Sequence, residues 1–148
     1  MGQDISVVKT YRLDPFRRAV NVVMAAMLRR GIGGKSTYLL TTTGRRSGQE
    51  RTTPVTLVET GGERWLVAPY GTVGWVHNVR ASHQVTLWRG KRVEVIGAEE
   101  IGAEQAGPIL QRYVRNVPVT APFFDAKPRD PVERFEAEAH RHPVFKLG

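Results

Sequence analysis

The chain has 148 residues, a formal net charge of +8 and no cysteine. Its length and its 41% hydrophobic content predict a folded core and exclude a disordered chain, and no apolar run reaches the ~18 residues of a membrane-spanning helix. The lack of cysteine excludes disulfides and thiolate metal sites and favours a cytoplasmic protein, while the basic charge predicts an anionic partner: nucleic acid, a membrane surface or an acidic small molecule.

Residues 14–30 predict an amphipathic helix. Asp14 is a favourable N-cap, Pro15 suits the first helical position, and Gly31 ends the helix. Apolar residues recur between them at helical spacing, and arginines stand at both ends. Two interpretations remain open: a helix laid over the core, or one that contacts the inner face of a membrane peripherally.

Five β-strands are predicted in the middle of the chain, because β-branched and aromatic residues are concentrated there. They are residues 36–43, 51–60, 63–70, 84–89 and 92–101. Gly61 and Gly62 predict a tight hairpin, and Pro54 predicts an edge or a bulge in the second strand. Residues 71–82 read as a loop followed by a short helix.

The C-terminal third is predicted to be mainly helical. Helices are expected over residues 103–116 and 131–140, with an irregular proline-rich stretch between them and a short docking tail at residues 142–145. Strands joined by tight turns imply an antiparallel sheet, and five or six of them close most easily into a small barrel. We therefore expect one α+β, mainly β, domain spanning residues 1–148.

The segment from Thr41 to Arg51 has the composition of an anion-binding loop. It contains two glycines, which permit a tight turn, and three arginines, Arg45, Arg46 and Arg51. Guanidinium groups suit phosphate and carboxylate, and backbone N–H groups in such a turn can add to the site. The alternative interpretation is a solvated hairpin with charged residues at its tip.

Several other chemistries are disfavoured by the sequence. The four histidines, at positions 77, 83, 140 and 142, do not have the spacing of a zinc motif, so no metal site is predicted. Ser47 lies outside any GxSxG nucleophile elbow. The arginines are scattered, without a helix-turn-helix or an RNA-binding aromatic signature, so nucleic acid is a disfavoured partner.

Four segments in order resemble the deazaflavin-dependent nitroreductase family. They are Tyr38–Gln49 (YLLTTTGRRSGQ), Pro54-Val55, Val67-Ala68 and Trp75–Ala81 (WVHNVRA). The family consists of actinobacterial split β-barrel proteins that bind coenzyme F420, and its fold is related to FMN-binding barrels. The resemblance extends from Ser36 to Ile101. It implies an antiparallel split barrel and an F420-dependent oxidoreductase.

The resemblance also implies which residues bind the coenzyme, whose tail carries a phosphate and glutamates and whose flat ring carries the hydride. The loop residues Arg45, Arg46, Ser47, Gly48, Gln49 and Arg51 are implied to bind the phosphate end. The backbone of Ala68, Pro69, Tyr70 and Gly71 is implied to approach the ring. Trp75 and Asn78 match a tryptophan and an asparagine near the cofactor in the family. From the residues alone, Trp75 could equally anchor the core and Asn78 could cap the helix locally.

The sequence departs from the family pattern near the implied substrate pocket. The loop between Gly71 and Trp75 is shorter, and Tyr70 stands where the prototype has a lysine. Tyr113 is the one candidate in the following helix for the tyrosines that the prototype uses at its pocket. The catalytic predictions are therefore Tyr70 and Tyr113.

The expected reaction is hydride transfer from reduced F420 to a small-molecule acceptor, namely an activated double bond, a quinone or a nitro compound. Two alternatives stay open on the same barrel. One is a lipid- or fatty-acid-binding protein with little turnover, and the other is a relative that uses FMN as its cofactor. The sequence leaves the choice between a monomer and a homodimer open.

Overall fold

The computed structural model describes Val22 and residues 36–148. Six strands are present among them: β1 Thr37–Thr43, β2 Glu50–Thr60, β3 Glu63–Val67, β4 Gln84–Arg89, β5 Arg92–Glu100 and β6 Val144–Leu147. The helices are α1 Gly74–Ser82, α2 Ala103–Asn116 and α3 Val132–Glu138, with 3-10 helices at Pro118–Phe123 and Ala139–Arg141. The predicted helix 14–30 lies outside the described residues apart from Val22, which is helical and exposed.

The strands form a closed barrel in the order β1-β2-β3-β6-β5-β4, and every neighbouring pair is antiparallel. Two strands change partner along their length. Residues 50–56 of β2 pair with β1 and residues 57–60 with β3, while residues 92–97 of β5 pair with β4 and residues 98–100 with β6. The predicted fold class, an antiparallel α+β barrel, is confirmed, whereas the single domain over residues 1–148 stays a prediction.

Local sequence signals explain the hairpins. Gly61 and Gly62 have φ angles of 61° and 78°, a left-handed backbone that glycine adopts without a steric penalty. Pro54 lies opposite Leu39 of β1, in the half of β2 that does not pair with β3. The edge predicted for Pro54 is therefore confirmed, since proline has no N–H to offer a second neighbour.

Alternating side chains divide the described residues into two apolar cores. Leu57 and Leu66 point into the barrel, and their neighbours Val58 and Val67 pack outside it against the helices. The barrel core consists of Leu40, Leu57, Leu66, Ala68, Val76, Val79, Val85, Leu87, Ala98, Phe145 and Leu147. The outer core contains Val58, Val67, Ala106, Ile109, Leu110, Tyr113, Val114, Phe124, Ala126, Phe135, Ala139 and Val144.

Three predicted elements differ from the structure, and the first two lie beside the same turn. The third strand ends at Val67 instead of Tyr70, because the Gly71 N–H turns back to the Ala68 carbonyl at 3.3 Å and Gly71 has a φ of 89°. The predicted docking tail contains a sixth strand, β6, which pairs with β3 and β5 and closes the barrel. The predicted helix 131–140 is shorter than expected: α3 stops at Glu138, and a 3-10 helix follows it.

No helix in the described part of the chain is long and apolar enough to cross a membrane.

Candidate functional site

The loop between β1 and β2 is closed by its own hydrogen bonds. The Gly44 N–H donates to the Gln49 carbonyl at 2.7 Å, and the Gly48 N–H donates to the Gly44 carbonyl at 2.9 Å. The Ser47 hydroxyl accepts from the Gln49 N–H at 3.2 Å. A Cβ on Gly44 would lie 2.6 Å from the Ser47 Oγ, so this tight turn favours glycine. The loop therefore has a defined backbone from which its exposed side chains project.

Arg45, Arg46 and Arg51 are exposed, and none of the ion pairs among residues 36–148 involves them. Other arginines in the described structure are paired with carboxylates. A hydrogen bond to a neighbouring carboxylate raises the pKa of Arg64, Arg80 and Arg141. The three loop arginines thus keep their positive charge available for an anion from outside the described structure.

The buried side chain of Asn78 attaches helix α1 to this loop. Its Nδ2 donates to the Thr42 Oγ1 at 3.0 Å, and its Oδ1 lies 3.4 Å from the Arg45 backbone nitrogen, a long hydrogen bond. Thr42 is the cross-strand partner of Arg51, and such partners project from the same face of a sheet. Asn78 therefore links helix α1 both to the end of β1 and to the loop backbone at Arg45.

Replacing Asn78 with alanine is expected to lower the free energy of unfolding by about 1–3 kcal/mol, because a buried polar group then loses its partner. The Arg45 amide should also exchange faster with solvent. Urea unfolding and amide hydrogen exchange measure the two effects. His77→Ala, on the exposed side of the same helix, is the matched control and should change neither. Unchanged exchange at Arg45 in the Asn78→Ala variant would argue against the attachment.

The residues implied to approach a flat ring follow β3 directly. Ala68 and Pro69 are buried and Tyr70 is exposed. The Ala68 N–H donates to the Pro143 carbonyl at 2.8 Å, which ties this segment to the chain just before β6. Within residues 36–148 no backbone hydrogen bond uses the N–H groups of Tyr70 and Thr72, so both donors are available to a ligand.

This segment borders a cleft of about 430 Å³. The lining consists of Pro69, Tyr70, Gly71, Thr72, Phe123, His140, Arg141 and His142. The rings of Tyr70 and Phe123 meet edge to face, with centroids 4.6 Å apart and an interplanar angle of 79°. The cleft therefore combines an exposed aromatic pair with polar groups from the C-terminal segment.

The sequence does not assign residues 140–142 or Phe123 to this cleft. No local signal identifies them, because they reach it only through the packing of the last 3-10 helix and β6 on β3. The spacing of the histidines in the sequence is informative only about metal binding. Among residues 36–148 no cluster of three or more His, Asp or Glu side chains is arranged to hold a metal ion.

Trp75 and Tyr113 occupy different environments. Trp75 is half-buried and packs on the barrel core, with its ring 6.2 Å from that of Phe145. Tyr113 lies in α2 with 5% of its surface exposed. Burial raises the pKa of the Tyr113 phenol well above its usual range, and the interaction with Tyr70 raises it further. The Tyr113 phenol therefore stays protonated at neutral pH and can donate a hydrogen bond.

The sequence matches the family model described as F420H(2)-dependent quinone reductase over residues 15–124. The matched segment contains the basic loop, helix α1 and most of the barrel. It ends before α3 and β6, so the cleft residues His140, Arg141 and His142 and the final strand lie beyond it. None of the curated proteins matches the chain.

Solved structures share the same fold. An F420-H2-dependent reductase, FDR-A, is 25% identical with a TM-score of 0.55, and the match covers 77% of this chain and 95% of that one. A protein solved as a domain-swapped dimer is 24% identical with a TM-score of 0.56, covering 89% and 98%. A candidate pyridoxamine 5'-phosphate oxidase from Listeria innocua is 11% identical with a TM-score of 0.53, covering 88% and 92%. The barrel described above is thus a split barrel, the fold that these structures share.

Proposed function

The chain belongs to the F420H(2)-dependent quinone reductase family and is an F420-dependent reductase, and from this we propose that its acceptor is an activated double bond, a quinone or a nitro compound, reduced by the hydride that F420 supplies. The observation that carries the proposal is the arrangement around helix α1. An exposed basic loop is attached to Asn78 of the helix, and a cleft bordered by free backbone donors lies just before its first turn.

The basic loop suits the anionic tail of the coenzyme. Arg45, Arg46 and Arg51 offer three guanidinium groups without carboxylate partners in the described structure. The loop is already closed by hydrogen bonds of Gly44, Ser47, Gly48 and Gln49. The entropic cost of ordering its backbone when a ligand binds is therefore small. These arginines bind the phosphate and carboxylates, and the other loop residues hold the turn in shape.

The turn after β3 suits a flat ring. Ala68 and Pro69 form a buried, fixed base, and the N–H groups of Tyr70 and Thr72 can donate to ring carbonyl oxygens. Gly71 has the left-handed backbone that this turn requires. In this proposal Asn78 acts by holding the loop and Trp75 by supporting the start of α1, so that tail and ring are held at a fixed separation.

Tyr70 and Tyr113 are not equally suited to donate a proton. A phenol that gives up its proton leaves a phenolate, and the raised pKa of Tyr113 opposes that outcome. Tyr70 is exposed at the cleft and packs on Phe123, so its hydroxyl can reach an acceptor bound there. We assign proton donation to Tyr70 and assign Tyr113 to hydrogen bonding beside it.

Tyr70→Phe is expected to lower kcat by roughly a hundredfold, in line with the loss of a general acid, while F420 affinity stays the same. Phenylalanine keeps the edge-to-face contact with Phe123, so the variant removes the hydroxyl alone. Steady-state kinetics with a quinone measure kcat and KM. Tyr38→Phe on β1 is the control, because the Tyr38 hydroxyl bonds Glu59 on an exposed surface. A wild-type kcat for Tyr70→Phe would assign the proton to water.

The proposal as a whole is tested by titrating the protein with F420 and then supplying acceptors. F420 fluorescence should report binding at micromolar concentration. Reduced F420 should be oxidised by a soluble quinone, a cyclic enone or a nitroaromatic compound, and the preferred acceptor class has the highest kcat/KM. Binding without oxidation by any of the three would reject the acceptor classes, and no binding at micromolar F420 would reject the site.

The membrane contact and the oligomeric state stay predictions. Peripheral membrane contact through residues 14–30 falls outside the described residues. The choice between monomer and homodimer is also open, and size-exclusion chromatography with light scattering decides it. A vesicle sedimentation assay that compares the full chain with a variant in which Arg17, Arg18, Arg29 and Arg30 are changed to glutamine tests the membrane contact.

A further inference from the structure

A buried histidine and glutamate lie beneath the turn that follows β3. His142 and Glu138 each expose 3% of their surface. The His142 Nε2 is 2.8 Å from the Glu138 Oε1, and the His142 Nδ1 is 2.9 Å from the Pro69 carbonyl oxygen. The His142 ring also stacks on Phe124, with centroids 3.9 Å apart and planes inclined by 22°. The imidazole is therefore fixed on both edges and on one face.

The hydrogen bond to Pro69 defines the donor on this imidazole. A backbone carbonyl can only accept, so the His142 Nδ1 carries a proton that it donates to Pro69. Glu138 accepts from the Asp125 N–H at 3.1 Å and the Ala126 N–H at 2.7 Å. The Arg141 guanidinium lies 3.6 Å from the Glu138 Oε1, so several groups hold the Glu138 carboxyl in place beside the His142 Nε2.

The Ala68–Pro69 backbone is held from two sides by consecutive C-terminal residues. The Pro143 carbonyl accepts from the Ala68 N–H at 2.8 Å, and the His142 Nδ1 donates to the Pro69 carbonyl at 2.9 Å. Tyr70, the next residue, lines the cleft. Because the Ala68 N–H and the Pro69 carbonyl are both engaged, the Ala68–Pro69 backbone cannot rotate without breaking a buried hydrogen bond.

We propose that His142, held by Glu138, is a positioning residue that sets the turn of residues 68–71 in the orientation that receives the deazaflavin ring. This inference rests on the proposed function, since it assigns the ring to that turn. It acts through the backbone: both His142 nitrogens are engaged with protein groups, so the side chain does not itself donate to the ligand. Glu138 keeps Nδ1 pointed at Pro69 by holding the opposite edge of the ring.

The test compares two replacements of His142. His142→Phe keeps an aromatic ring against Phe124 but removes the donor to Pro69. His142→Asn places an amide N–H₂ on Cγ, the same atom that bears Nδ1 in histidine, and so retains a donor to Pro69. Glu138 loses its imidazole partner in both variants. The variants differ in the donor to Pro69 and in the ring against Phe124, so a recovery of binding by asparagine, which lacks the ring, points to the donor.

The probes are F420 and a deazaflavin that lacks the phosphate and glutamate tail, each followed by fluorescence. We expect His142→Phe to weaken the binding of both by roughly tenfold or more, because the buried Pro69 carbonyl loses its donor, and His142→Asn to restore most of the loss. Arg46→Ala should weaken F420 but not the tail-less compound. His77→Phe, at an exposed position on α1, should bind both probes like the wild type.

The outcomes separate this inference from the proposed function. If wild-type protein binds neither probe, the proposed ring site is wrong. If it binds both and His142→Phe binds them equally well, or if asparagine restores nothing, the positioning role is wrong. Should His142→Phe fail to fold, nuclear magnetic resonance of wild-type protein decides: the His142 Nδ1–H signal should shift when the tail-less deazaflavin is added, and an unchanged signal overturns the inference.

Discussion

Changing both Arg46 and Arg51 to alanine is expected to produce the largest loss of F420 affinity of any substitution in the chain. A hydrogen bond between a charged donor and an anion contributes about 1.5–3 kcal/mol, or roughly tenfold to a hundredfold in the dissociation constant for each arginine. Both residues are exposed, so the lower end of this range is expected at physiological salt. Fluorescence titration of F420 at two salt concentrations measures the effect, and the difference between wild type and variant should shrink as salt rises.

The matched control is the double variant Arg112→Ala and Arg129→Ala, which removes the same net charge from exposed positions outside the loop. It should leave affinity nearly unchanged, because charges beyond about 8–10 Å from the anion are screened. Equal losses in the two double variants would mean that overall positive charge attracts the coenzyme and that the loop is not its site. The single variants should each show an intermediate affinity.

Phe135→Ala is expected to cause the largest loss of stability within the described structure. Phe135 in α3 is fully buried, and its ring lies 6.3 Å from that of Phe124 in the outer core. Removing a buried phenylalanine ring costs about 3–5 kcal/mol, because the apolar contacts are lost and the cavity refills only in part. Urea unfolding followed by circular dichroism measures the free energy of unfolding.

Phe123→Ala provides the comparison, since it is the same change one residue from Phe124 at a position 53% exposed. It should cost less than about 1 kcal/mol, because little of the ring is removed from water in the fold. Phe135→Ala should also weaken F420 binding if the protein is still folded, since Phe124 supports His142. Equal destabilisation by both variants would contradict the assignment of Phe135 to the outer core.

Local patterns were enough to predict most of the barrel. The β4 and α2 boundaries agree with the predictions, and the other middle strands agree to within one residue except at the end of β3. Their signals are short-range: β-branched residues favour extended backbone, and Gly61-Gly62 favours one turn geometry. Pro54 likewise carries its own constraint, the missing N–H, wherever its neighbours lie.

Long-range pairing decided the elements that the sequence misassigned. β6 has four residues and no hairpin to a neighbour, so its pairing with β3 and β5 depends on the rest of the barrel being formed. The same applies to the end of β3, which the sequence predicts at Tyr70 and the structure places at Val67. There the backbone turns because Ala68 is bonded to Pro143, far along the chain, and Gly71 adopts a left-handed conformation.

The sequence by itself determined the barrel and the basic loop, because strand propensity, turn glycines and a cluster of arginines are encoded within a few consecutive residues. The cofactor class followed from the family resemblance. Only the tertiary structure decided what holds the site in place. Asn78 reaches the loop across 33 residues of sequence, and His142 reaches Pro69 across 73. A side chain shows by its type that it can donate a hydrogen bond, but its partner is chosen by the packing of strands and helices that are distant in the chain.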